Sequence, residues 1–129
     1  MLKSVLFSLL LVSSAFAADI AGEYKGTFAS DAGAAEGKVR LVVAKAADAW
    51  DCRIFFSNGG DEISAKTTSC KVEDNKITHE YDAEVDGNAI HVVMSSTIAE
   101  DKSLKGTYKA VSPDGEVLDQ GTWKASQNQ

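Results

Sequence analysis

Proline is nearly missing from this chain. Pro113 is the only one in 129 residues, so a Pro-rich linker or recognition arm is excluded. Histidine is almost as scarce: His79 and His91 are the two present, and they stand in neither HxH nor HxxxH spacing, which argues against a dedicated transition-metal site. Basic residues are outnumbered, 13 against 19 acidic, for a net charge of −6. A chain of that sign is repelled by nucleic acid and by anionic lipid. No apolar run long enough to cross a bilayer occurs anywhere. There is no G-x-S-x-G, P-loop, dinucleotide fingerprint or EF-hand loop, and no Ser–His–acid set can be nominated from order alone. The reading is therefore non-enzymatic, with no cofactor and no metal.

What is present begins with an export signal. Lys3 supplies a positive start, Val5 to Val12 an apolar stretch, and Ala15-Phe16-Ala17 a small-x-small cleavage site. Residues 1–17 are expected to be removed, leaving 18–129 as one soluble domain in the periplasm or the medium, with no membrane insertion. No cysteine follows the cleavage site, so a lipid anchor there is not expected. Export permits oxidation, and the two cysteines, Cys52 and Cys70, allow one intrachain bridge. The rival reading, a reactive thiol pair, lacks the C-x-x-C spacing.

Period-two alternation runs almost the whole length of the domain and predicts eight antiparallel strands. The clearest is the fifth, where Ile77, His79, Tyr81, Ala83 and Val85 share one face. Thr78, Glu80, Asp82, Glu84 and Asp86 share the other. The fourth is the least regular: Ile63 and Ala65 follow one parity, Cys70 and Val72 the other, so a bulge is expected between them. The last carries Val117, Gly121, Trp123 and Ala125 inward, with Asp119 as an inward polar exception. Asn58-Gly59-Gly60-Asp61, Asp74-Asn75, Asp86-Gly87 and Pro113-Asp114-Gly115 read as hairpin turns. Ser30 to Glu36 reads as a small-residue loop with room for a helical turn.

A tetrad recurs three times: Gly22-Glu23-Tyr24-Lys25, Gly106-Thr107-Tyr108-Lys109 and Gly121-Thr122-Trp123-Lys124. In each, glycine and aromatic share a face. If the first and last strands are neighbours, the three form one patch of wall. Of the eight aromatics beyond the leader, seven take the inward register (Tyr24, Phe28, Trp50, Phe56, Tyr81, Tyr108 and Trp123), and only Phe55 points out. Small beside large on one face is how a tapering barrel is filled. The prediction is an all-β, eight-stranded up-and-down meander closing into a barrel, with an open sandwich as the alternative.

Gly22-x-Tyr24 on the first strand and the closing Gly121-Thr122-Trp123 resemble the calycin architecture of lipocalins, fatty-acid-binding proteins and avidins. They also resemble small exported bacterial β-domains, in which Gly37, Leu41 and Val43 match a second-strand pattern. Lipocalins usually carry tryptophan where Tyr24 stands and have a longer chain, and no avidin ligand residue can be placed here. The resemblance implies a barrel that takes a small apolar molecule. Candidate ligand-binding residues are Tyr24, Trp50, His79, Tyr81, Tyr108 and Trp123, with His79 as polar contact. Against that stands a core histidine bonded within the barrel. The second reading is a protein-binding module, an inhibitor or accessory subunit, using outward Phe55 and the row Glu80, Asp82, Glu84 and Asp86. Against that stands a solvated face that discourages edge pairing.

Overall fold

The computed structural model describes residues 20–33 and 36–127. The expected signal peptide, residues 1–17, lies outside the described residues. Nine strands follow one another: β1 (Gly22–Ser30), β2 (Glu36–Ala46), β3 (Ala49–Ser57), β4 (Ile63–Ser64), β5 (Lys66–Glu73), β6 (Lys76–Val85), β7 (Asn88–Ile98), β8 (Ser103–Val111) and β9 (Val117–Ser126). They form one antiparallel sheet in the order β4-β3-β2-β1-β9-β8-β7-β6-β5. A single continuous sheet of this kind curls into a nearly closed barrel and disposes of the sandwich alternative. The architecture is compatible with a calycin-like fold.

The recurrent tetrads lie on β1, β8 and β9, which are adjacent. Gly106 pairs with Trp123 and Gly121 with Tyr108, so these two glycines stand opposite aromatics on the same inner face, whereas Gly22 pairs with Val43. Here the wall bends hard. A Cβ on Gly106 would lie 1.8 Å from the Ser95 carbonyl oxygen, and one on Gly26 would lie 1.8 Å from that of Lys124. Only a residue without a side chain allows backbones so close, and that bending is what curves a sheet toward closure.

Two expectations are corrected. The strand count is nine, because the predicted fourth strand divides at Ala65. Its first part, β4, pairs with β3 through Phe55↔Ser64 and Phe56↔Ile63. Its second part, β5, pairs with β6 and carries a register shift between Thr67 and Ser69, where the parity break placed the bulge. Second, Val117 is not inward but 45% exposed. Ala110 pairs with Asp119 and Val111 with Val117. Leu118 is thus an extra residue, and the bulge turns Val117 out of the inner register.

The β1–β9 pairing forms as expected, yet the gap in the cylinder lies elsewhere, between β3 and β5. A disulfide and a side-chain hydrogen bond cross it. Cys52 and Cys70 form a disulfide with Cα atoms 5.7 Å apart. The Thr67 hydroxyl of β5 donates to the Cys52 carbonyl of β3; the Ala65 N–H, bonded to the Ile54 carbonyl at 3.3 Å, extends the β3–β4 ladder up to the gap.

Turns match their chemistry. Asp86 and Gly87 both have positive φ, 53° and 82°, as a two-residue type I′ hairpin demands. In the loop after β1, the Gly33 N–H donates to the Ser30 carbonyl at 3.0 Å. Residues 31–33 form a turn rather than a helix, and 34–35 lie outside the described residues. The core holds Tyr24, Leu41, Ile54, Ile77 and Leu104, each almost fully buried, worth roughly 1.5–3 kcal/mol apiece for the aliphatic ones. All seven inward aromatics are in this core or packed against it.

Candidate functional site

The inner strand faces are not filled at one end. A cavity of about 340 Å³ lies there, between the C-terminal halves of β1, β3, β6 and β8 and the N-terminal halves of β2, β7 and β9. Its walls are largely apolar: Phe28, Val39 and Phe56 on one side, Ile90, Val92 and Met94 on the other. Leu118, set by its bulge, and Asn58, Asp86 and Asn88 stand at the rim. The far end is closed by buried Ile20, Ile98, Leu104 and Ala125. The volume is at the lower end of the roughly 300–1,000 Å³ of small-molecule pockets.

Aromatic packing shapes the walls. Phe28 meets Tyr108 edge to face at 5.7 Å between centroids, and Phe56 meets Tyr81 at 6.1 Å. One polar group interrupts them. Asp119 on β9 lines the cavity, half-buried, its Oδ1 accepting from the Ser30 hydroxyl at 2.5 Å and its Oδ2 from the Tyr108 hydroxyl at 2.9 Å. Burial first, then the bond to Asp119, raises the Tyr108 phenol well above its ordinary value. Tyr81 is raised as well, mainly by burial. Both remain neutral donors in ordinary buffers.

Of the six candidate residues, Tyr81 and Tyr108 line this cavity. The other four are placed elsewhere. Tyr24 is wholly buried, its hydroxyl donating to the Ile20 carbonyl. Trp123 is buried with its indole N–H lacking a partner. Trp50 is half-buried at the start of β3, with the Lys45 ammonium 5.4 Å from its ring centre.

His79 is 1% exposed and belongs to the seam. Its Nε2 lies 2.8 Å from the Thr67 hydroxyl oxygen. That hydroxyl has a single proton, already donated to the Cys52 carbonyl, so His79 Nε2–H is the donor and Nδ1 is a bare lone pair. Nδ1 is buried without a partner. Burial pushes the ring pKa down from 6.5 to about 4, against a weaker opposing pull from Asp51. The imidazole is neutral at pH 7, held among apolar groups beside Tyr81 at 5.2 Å.

The outer face is engaged with itself. His91 Nδ1 lies 2.7 Å from Asp82 Oδ1, and Nε2 lies 3.1 Å from Glu80 Oε1. Both nitrogens facing carboxylates raise its pKa, Asp82 contributing first and Glu80 second. The Arg40 guanidinium lies 3.9 Å over the Phe55 ring and bonds Glu62 at 2.8 Å and Glu23 at 3.2 Å.

Sequence reasoning missed Ser30, Leu118 and the rim residues as parts of one site. The signal for the site was Asp119, an acid breaking an inward apolar register. Among the described residues no three His, Cys, Asp or Glu side chains gather to hold a metal. No protein family, curated protein or solved structure matches the chain.

Proposed function

We propose that this chain is an exported, non-enzymatic barrel of lipocalin-like character that holds a small, mainly apolar molecule in its open end. The observation that carries the reading is the apolar cavity of about 340 Å³. A dry apolar cavity of about 150 Å³ already takes benzene, so the space here suits a larger molecule. The disulfide across the barrel seam fits an oxidising destination. The cavity's Asp119 already accepts from Tyr108 and from Ser30 beside it, and neither histidine lines the cavity. That supports binding over catalysis.

The other reading, a protein-binding module, draws less support. Three of its five contact candidates are already engaged within the chain: Glu80 and Asp82 by His91, and Phe55 by Arg40.

The test is displacement of an apolar naphthalene dye by linear alcohols, on the wild type and on Ile90→Trp, which fills the cavity from its half-buried rim. Dye uptake by the wild type and its loss in a folded Ile90→Trp variant are expected. No uptake by the wild type, or full uptake by the variant, rejects the cavity as the binding site.

A further inference from the structure

The cavity has a sign as well as a shape. Its ionisable lining groups are Asp86, Asp119, Tyr81 and Tyr108, and no lysine, arginine or histidine is among them. The two tyrosines are neutral, so among the described residues the formal charges on the walls are all negative. No basic side chain pairs with Asp119 among the described residues. Instead, two hydroxyls hold it, one on each oxygen. A carboxylate offers about four lone-pair sites, so two acceptor positions remain after Ser30 and Tyr108 are served. A half-buried carboxylate held by neutral donors alone lacks a countercharge, and a partly apolar enclosure strengthens its attraction for one.

We propose that the occupant is an apolar body bearing a protonated amine, with the ammonium seated on Asp119 and the hydrocarbon among Phe28, Val92 and Met94. This rests on the binding reading above and specifies its ligand class. The chemistry selects among heads. An ammonium donates charge-assisted hydrogen bonds to the free acceptor positions of Asp119. A hydroxyl donates one neutral bond and is weaker. A fatty carboxylate would bring a second negative charge against Asp119 in a site with no cation to receive it, so the cavity discriminates against it. Asp86, at the rim turn, adds a second negative charge where the head must enter. The net charge of −6 draws cations toward that mouth.

The experiment uses the processed, disulfide-intact protein and three ligands with one linear alkyl chain in common: the amine, the alcohol and the carboxylate. Affinities come from calorimetry at pH 7. The amine is expected to bind about tenfold or more tighter than the alcohol, with the carboxylate weakest. In Asp119→Asn the amine and the alcohol should come within about threefold of each other, since the charge-assisted bond is gone. Glu73→Gln removes one exposed charge at the end of β5, beside the start of β6 and away from the cavity, and should leave the amine preference as it was.

Equal binding of amine and alcohol by the wild type overturns the cationic head while leaving the apolar cup standing. So does a carboxylate that binds tightest, or an amine preference that survives Asp119→Asn. Binding of none of the three overturns both. The wild-type ranking decides alone if Asp119→Asn does not fold.

Discussion

Lowering the pH from 7 to 4 should destabilise this barrel through one buried ring. His79 lies at the seam, with Nε2–H given to Thr67 and Nδ1 enclosed without a partner. In the unfolded chain the ring protonates near 6.5; in the folded chain, only near 4. The folded pKa is depressed, so above 6.5 both states are neutral and nothing is lost. As pH falls below 6.5, the unfolded state takes up a proton that the native state refuses, and stability drops. The loss is complete near the folded value, below which both states are protonated. A tenfold difference in proton affinity is worth about 1.4 kcal/mol, so the gap from 6.5 to about 4 corresponds to ~3 kcal/mol. By pH 5 about 2 kcal/mol of it should already be gone. Domains of this size have only about 5–15 kcal/mol in hand, so the effect is a large fraction of the total. The assay is urea unfolding at intervals from pH 7 to 4, for the wild type and for His79→Gln, with the disulfide intact in both. Glutamine can still donate to Thr67 and does not titrate. Other carboxylates move both curves alike, and the difference between the two proteins isolates the ring. The wild type should lose about 3 kcal/mol more than the variant across that interval. Parallel curves would refute the buried, neutral imidazole.

Replacing Cys52 and Cys70 by serine should cost about 3 kcal/mol by loop-closure entropy for a separation of 18 residues, read as a lower urea midpoint. Hydrogen exchange should then quicken in β4 and β5 ahead of β1 and β9, because the bridge crosses the seam. Gly106→Ala should cost at least about 2 kcal/mol, since the new Cβ meets the Ser95 carbonyl oxygen; a neutral result in thermal unfolding contradicts that close approach. Tyr24→Phe removes the bond to the Ile20 carbonyl and should cost about 1 kcal/mol, checked by the same melts. His91 should titrate above its ordinary 6.5 in NMR, and Glu80→Gln with Asp82→Asn should bring it back toward 6.5. Its stabilising contribution is complete below 6.5 and is lost as pH rises through the folded value.

Much of this protein is written in residue parity, which is a local property of an extended chain. Alternation placed seven aromatics inside and Phe55 outside, and the three tetrads marked the wall shared by β8, β9 and β1. The parity break after Ala65 located the irregular strand, and the even cysteine count foretold the bridge. The position of the seam could not be read the same way. It depends on which distant edges fail to pair, and a parity break does not say whether a strand bulges or divides between two edges. The cavity was equally out of reach, because an empty volume is a small difference between the space the strands enclose and the side chains that fill it. The sequence therefore determined a one-faced aromatic meander and singled out Asp119 as its inward acid. Only the tertiary structure decided that His79 belongs to the seam and that Tyr108 and Ser30 converge on Asp119, since those neighbours come from strands brought together by folding.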